Sequence, residues 1–295
     1  MIKKRTSMSG TPTYNVVVFA HNEARRINRC LESILSQADE GLQYIYVLVN
    51  GCTDDTADVV TRFSANQPEV IGVWLDRADK AASWNHYVQK LSGEADYHVF
   101  VDGDIYLADN AMPELLAPLK NTSHVLATAA VPANGRSQVK WLSNMQRWGR
   151  LAGALYALRS ELVNEIREKA ITLPAGLIGE DFVVTCLTKG SIEYQQLFAP
   201  SKRLRVVPAA QFYFDGLRIT NWRHWQIALN RLVRYQVREH QLKLLFHYMQ
   251  DKQPSQMPVE ITALYSELAH LIRYQYRGRN TPVDVLAVRH IKRHS

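Results

Sequence analysis

"YNVVVFAHNEARRINRCLESIL" (residues 14–35) contains a strand, a polar turn and a helix in immediate succession. Residues 14–20 are an apolar run of strand length, rich in the β-branched residues that favour strands. Ile27, Leu31, Ile34 and Leu35 then share one face at helical spacing. The same unit recurs downstream. "YIYVLVN" (44–50) precedes a helical pattern carrying Val59, Val60 and Phe63, and "VIGVWL" (70–75) precedes "DKAASWNHYVQKL" (79–91). "YHVFVD" (97–102) is a fourth strand. Fully apolar strands alternating with helices predict an α/β fold, a mostly parallel sheet covered on both faces. Ligands of open sheets of this kind sit outside the carboxyl ends of the strands. The polar residues at those ends are Asn22, Glu23, Asn50, Asp102 and Asp104, so these five are expected to share one crevice.

"HVFVDGDIYL" (98–107) sets two aspartates one glycine apart at the end of an apolar strand. An Asp-Gly turn joining two paired strands accounts for this without any function. Two hard oxygen ligands for a divalent cation account for it equally well. The pair alone does not separate the two readings.

The second half of the chain reads as a helix over 138–150, a strand in "ALYALR", and a helix in "SELVNEIREK" with Ser160 as its cap. A Pro/Gly-rich loop, "LPAGLIGED", leads into a short helix stopped by Gly190, and "LRVVPAAQFYF" follows as a strand. Residues 221–249 form a long helical segment with Trp222, Trp225, Leu229 and Leu232 on one stripe, and Arg231, Arg234 and Arg238 on a neighbouring face. Burial of this stripe against the body of the chain is the expected default. The organisation is a polar tail (1–13), a body (14–216) and a basic helical extension (217–295).

Apolar and charged fractions of 46% and 21% are those of a globular protein. No segment approaches the roughly 18 apolar residues of a membrane span, and no signal pattern opens the chain. The three cysteines, Cys30, Cys52 and Cys186, lack metal-ligand spacing and suit a reducing cytoplasm. The net charge of +7 is concentrated in residues 218–295, which hold 13 Lys/Arg against 5 Asp/Glu. An excess of this kind points to an anionic partner, or to a solvated basic helix face.

In order, these landmarks resemble the family 2 glycosyltransferases, which have the GT-A fold, a Rossmann-like sheet. "VVVFAHNEARRINRCLESIL" is similar to the family's first strand, Asn-Glu turn and helix, and "VLVNGCTDDT" to its second strand and turn. "DKAASWN" resembles its Gly-Lys-x-x-Ala-x-Asn helix start, "FVDGD" its Asp-x-Asp, "GED" (179–181) its Glu-Asp motif, and "RLVRY" (231–235) the Gln-x-x-Arg-Trp of its processive members. The resemblance implies an inverting enzyme that moves sugar from a nucleoside-diphosphate sugar, a UDP-sugar being the first expectation, to an acceptor hydroxyl with Mn²⁺ or Mg²⁺.

Carried onto this chain, it implies Asp104 as direct metal ligand, with Asp102 binding through water or holding the donor ribose and sugar. Asn22, Glu23 and Asn50 would line the base and ribose pocket, and Lys80 and Asn85 would face the donor. Asp181 would be the base and Glu180 would shape the acceptor site. The two acids also suit a helix N-terminus through its dipole alone, and Lys80 also suits a solvated surface. Arg231 and Arg234 are expected to reach the pyrophosphate.

The chain departs from the family at Asn50, where many relatives have Asp, and at "FYFDG", where Phe214 and Asp215 stand near an expected metal-binding His. His224 is a weaker candidate for that ligand. "RLVRY" carries Arg for Gln and Tyr for Trp, which favours single over processive transfer. The acceptor is expected to be a small molecule or lipid-linked, and the basic helices suit peripheral contact with the inner face of a membrane. A nucleotidylyltransferase would show a Gly-rich loop with Arg after the first strand, which "FAHNEARR" lacks. A non-catalytic nucleic-acid or nucleotide-sugar binder would gain nothing from Asp102, Asp104 and Asp181, so no nucleic acid is expected.

Overall fold

The computed structural model describes residues 10–135, 138–216 and 222–294. Eight strands form one sheet: β1 (Tyr14–Ala20), β2 (Leu42–Asn50), β3 (Val70–Leu75), β4 (Tyr97–Asp102), β5 (Ile105–Leu107), β6 (Ala127–Pro132), β7 (Leu155–Arg159) and β8 (Leu204–Phe214). Interleaved with them are α1 (Ile27–Leu35), α2 (Thr56–Asn66), α3 (Lys80–His86), α4 (Ala111–Asn121), α5 (Gln138–Trp148), α6 (Ser160–Glu168) and α7 (Glu180–Lys189). The extension adds α8 (Trp222–Tyr248), α9 (Ala263–Glu267) and α10 (Thr281–Lys292).

The strand order is β3-β2-β1-β4-β7-β6-β8-β5. The first four strands are parallel, as their apolar runs predict. β7 runs against both of its neighbours, β6 and β8 are parallel, and β5 runs against β8. β4 and β5 therefore lie in separate parts of the sheet, and Asp102-Gly103-Asp104 is not the turn of a hairpin. It marks the point where the chain leaves one end of the parallel half.

Val16, Val17, Val18, Ile45, Val47, Val99 and Val101 are fully buried in the sheet core, where each aliphatic side chain contributes roughly 1.5–3 kcal/mol. An aromatic stack locks α3 to the sheet: Phe100 lies 4.8 Å from Tyr156, Trp84 lies 6.1 Å from Phe100, and Trp84 Nε1 donates to the Tyr156 hydroxyl at 3.0 Å. The start of α3 is thereby held at a fixed place above the strand ends. Ser160 is the first residue of α6, not its cap; its hydroxyl donates to the Ala95 carbonyl instead.

The extension differs from expectation in how it packs. Ile227, Leu229, Leu232 and Tyr235 are exposed, while Val237, Gln241, Leu244 and Leu245 are buried. Val233 is the first apolar side chain of α8 described against the core. The buried face thus follows 233, 237, 241 and 244, one residue on from the stripe through 225, 229 and 232. One residue is a turn of about 100° around a helix, so Leu229 and Leu232 of the expected stripe stand outside the buried face. The side chains of 222–225 lie outside the described residues, so Trp222, His224 and Trp225 are not placed.

The buried half of α8 braces the loop before α7. Gln241 donates to the Gly176 carbonyl at 3.0 Å and accepts from Ile178 N–H at 2.8 Å. Ala175 N–H donates to Val259 O at 2.8 Å, Ile261 N–H to Ala175 O at 2.9 Å, and Arg77 forms a two-pronged pair with Glu260. No described helix is long and apolar enough to cross a membrane.

Candidate active site

The parallel register brings the expected polar residues to one edge. Phe19 lies opposite Asp102, Ala20 opposite Val49, and Asn50 opposite Leu75. Asn22 adopts a left-handed conformation at φ 57°, which Asn tolerates better than most residues. Its Oδ1 accepts from Thr53 N–H at 2.8 Å and Asp54 N–H at 3.3 Å. Glu23 is gripped by Arg26 at 2.7 Å, and Arg26 also holds Asp215 at 3.0 Å. Asn50 is buried, its Nδ2 donates to Ser83 Oγ at 3.2 Å, and its Oδ1 has no partner among the described residues.

Between the two aspartates, Gly103 N–H donates to Phe19 O at 2.8 Å, and a Cβ built on Gly103 would stand 2.9 Å from that same oxygen. Only glycine lets the chain pass this close to β1. Asp102 and Asp104 are thereby pinned over the end of the neighbouring strand.

Lys80 occupies the centre of the crevice. Its Nζ lies 2.6 Å from Asp102, 2.7 Å from Glu180 and 2.9 Å from the Gly153 carbonyl. The Gly153 N–H in turn donates to Asp181 Oδ2 at 3.2 Å. Lys80 is therefore an internal cation that joins the Asp-x-Asp to the Glu-Asp motif, not a solvated lysine. Although desolvation opposes its charge, Asp102 and Glu180 hold the ammonium pKa well above the ordinary value. Desolvation raises the Asp102 carboxyl against the pull of Lys80, with repulsion from Asp104 and Glu180 adding to the rise. Desolvation also pushes Asp181 up to about 6, with Glu180 adding and Arg238 opposing.

Asp104 is half-buried, and no described residue hydrogen-bonds or ion-pairs with its carboxylate. Desolvation raises Glu23, and the field of Asp104 adds to it. A carboxylate with no described partner, close enough to Glu23 to raise it and within the field of Arg26, is a place where a cation would lower the energy. No group of three His, Cys, Asp or Glu among the described residues is arranged to hold a metal ion. The donor set available is Asp104 with Asp102, the one-or-two-carboxylate kind on which a divalent ion retains positions for substrate phosphates.

Among the described residues, three expected at the donor, Asn85, Arg231 and Arg234, form no hydrogen bond or ion pair with the acids of the crevice. Asn85 donates to Leu173 O at 2.7 Å and accepts from Leu173 N–H at 2.8 Å. Its amide is spent tying α3 to the loop before α7. Arg231 and Arg234 are exposed on α8, two turns and one turn before Arg238 on the same face. The arginine of α8 that reaches the acids is Arg238. Its Cδ would stand 2.5 Å from a Cβ on Gly179, and its guanidinium lies over the Phe182 and Tyr235 rings, 4.9 Å from each centroid. The helical period that places 231, 234 and 238 on one face did signal Arg238, but which of the three meets the body depends on where α8 docks. A separate cavity of about 940 Å³ opens at the far end of α7, lined by Gly190, Tyr194, Lys243 and Gln250, and includes none of these acids.

Residues 15–173 match the model of glycosyl transferase family 2, more than half of the chain. The chain belongs to this family. The enzyme is a glycosyltransferase, and solved structures share its fold. A mannosyltransferase from Pyrobaculum calidifontis, solved with GDP-Man and Mn²⁺, superposes with a TM-score of 0.61 at 19% identity, covering 96% of this chain and 76% of that one. Glucosyl-3-phosphoglycerate synthase from Mycobacterium tuberculosis, solved with Mn²⁺, UDP-Glc and phosphoglyceric acid, superposes with a TM-score of 0.53 at 18% identity, covering 84% and 81%. No curated protein sequence matches the enzyme.

Proposed function

We propose that the enzyme transfers a single glycosyl unit from a nucleoside-diphosphate sugar to an acceptor hydroxyl, with inversion at the anomeric carbon. The observation that carries this reading is the division of acids around Lys80. Asp104 has no partner among the described residues on the strand-end side, and Asp181 is oriented by Gly153 N–H on the other. Asn22, Glu23 and Asn50 form the wall on which the nucleoside would lie, by their place at the ends of β1 and β2.

Asp104, with Asp102, would hold Mn²⁺ or Mg²⁺, which when bound neutralises charge on the departing diphosphate. Both solved structures hold Mn²⁺ and a nucleotide sugar, which supports the same donor chemistry here. Asp181 takes the proton from the acceptor hydroxyl. The acceptor oxygen bonds to the anomeric carbon as the bond from that carbon to the phosphate oxygen breaks, and the electron pair leaves with the nucleoside diphosphate. Attack opposite the leaving group inverts the centre. Glu180, tied to Lys80, holds the start of α7 and with it Asp181 in place.

The test is a donor panel of UDP-glucose, UDP-galactose, UDP-N-acetylglucosamine and GDP-mannose with Mn²⁺. Nucleoside diphosphate release is scored with water as acceptor, and the first-formed anomer of the freed sugar is read by NMR. Inverted sugar from one donor, lost in EDTA, is expected. Retained configuration, or turnover unchanged in EDTA, overturns the proposal.

A further inference from the structure

Arg238 is held in a way that leaves its hydrogen-bonding edge unused. Its stem packs on Gly179, where φ of +86° and the 2.5 Å approach both require glycine. Phe182 and Tyr235 cover its guanidinium. A guanidinium offers five N–H donors in a rigid plane, yet no described residue accepts a hydrogen bond from Arg238 or ion-pairs with it. Arg150 stands nearby in a similar state. Its Nε donates to the Leu197 carbonyl, its guanidinium lies 4.5 Å from the Phe198 centroid and 5.9 Å from that of Phe182, and its terminal nitrogens have no described acceptor.

Two guanidiniums that share the Phe182 ring repel each other. Desolvation lowers the pKa of Arg150, and the charge of Arg238 lowers it further. The charge of Arg238 lowers the Asp181 carboxyl and Asp181 in turn raises Arg150, yet Asp181 forms no described ion pair with either; its Oδ2 accepts from Gly153 N–H. On the other side of the crevice the cations are already spent, Lys80 on Asp102 and Glu180, and Arg26 on Glu23 and Asp215. The unspent positive charge therefore lies beside Asp181, where the acceptor hydroxyl must arrive.

We infer that the acceptor carries an oxyanion, a phosphate or carboxylate, which Arg238 and Arg150 hold beside Asp181. This rests on reading Asp181 as the base. A rigid fork suits such a group because it bonds two oxygens at once. Arg234 and Arg231, four and seven residues back on the same helical face, continue the positive line outward, with Leu232 and Tyr235 exposed next to them. The anion can thus belong to a soluble metabolite or to a lipid headgroup whose chain lies along this strip.

The experiment measures binding by calorimetry to the full chain saturated with UDP or GDP and Mn²⁺. The probes are glycerol 3-phosphate against glycerol, and 1-oleoyl-lysophosphatidic acid against monooleoylglycerol. At least one phosphate is expected to bind about 10- to 100-fold more tightly than its neutral partner. Arg238→Ala and Arg150→Ala remove that difference, and Arg238→Lys restores only part of it because the fork is lost. Tight binding of glycerol 3-phosphate identifies a soluble anion as sufficient; tight binding of the oleoyl phosphate alone identifies the lipid source. Equal binding of phosphate and neutral probes, or no binding of either pair, overturns the inference. So does an Arg238→Ala or Arg238→Lys variant, melting like the parent, that loses nucleotide affinity while anion binding is unchanged. Failure of nucleotide binding in the parent enzyme would instead count against the donor reading, which the nucleotide titration reports separately.

Discussion

Lys80 and Asp102 stand 2.6 Å apart, the first residue of α3 against the last of β4, and the same ammonium holds Glu180 at 2.7 Å. Removing the cation leaves two carboxylates facing each other in a desolvated crevice. Lys80→Met should therefore destabilise the fold by on the order of 2–3 kcal/mol, less than a fully buried pair because Asp102 retains access to water. The urea midpoint is expected to fall, and Lys80→Arg should not restore it, since a planar fork does not fit three oxygens arranged around a point charge. An unchanged midpoint in Lys80→Met would mean that the bridge contributes nothing.

Asp104 has no described partner in the protein, so its role is expected to appear in turnover and not in stability. Asp104→Asn should lower kcat/KM by at least about 10²-fold, the scale of one lost electrostatic stabiliser, with the melting temperature within a degree or so of the parent. EDTA should abolish turnover and Mn²⁺ or Mg²⁺ should restore it. A variant that keeps full activity would remove Asp104 from the site.

The Asp181 carboxyl, raised to about 6, must be ionised to accept a proton. Turnover is then expected to rise tenfold per pH unit below pH 6 and to level off above it. Asp181→Asn should lower turnover by about 10²–10⁴-fold and abolish that limb. The linked stability effect has the opposite sign. Because the folded pKa lies above the unfolded value, ionising Asp181 disfavours the folded state; the cost is absent below the unfolded pKa near 4 and complete above pH 6. Asp181→Asn should accordingly stabilise the enzyme at pH 8, on the order of 2 kcal/mol, and the gain should vanish near pH 4. Melting curves of the two proteins at both pH values decide it.

Gln241 is buried and serves Gly176, Ile178 and the Tyr265 hydroxyl at once. Gln241→Ala leaves those groups unsatisfied and should cost about 1–3 kcal/mol. Since the loop it holds leads directly to Glu180 and Asp181, kcat is expected to fall more than donor affinity. Donor affinity falling while kcat holds would place the damage elsewhere.

By itself the sequence determined the parallel half of the sheet, because a fully apolar strand followed by a 3.6-residue period is a local pattern that physics reads in one way. That pattern also settled which polar residues stand at the strand ends, since parallel strands carry their carboxyl ends to one edge. Tertiary structure alone decided the rest. β5 has three residues and no local signal, and only its pairing with β8 shows that Asp102-Gly103-Asp104 is an exit from the sheet. The Lys80 bridge joins residues from three distant segments, and no spacing encodes such a contact. On α8 the period was legible but the docking was not: a rotation of one residue exposes Leu229 and Leu232, and the point along the helix at which it meets the body brings Arg238 to Gly179 while Arg231 and Arg234, two turns and one turn earlier on the same face, stay exposed. Helical periodicity specifies which side chains share a face, while the surface that face meets is set by the packing of the whole domain.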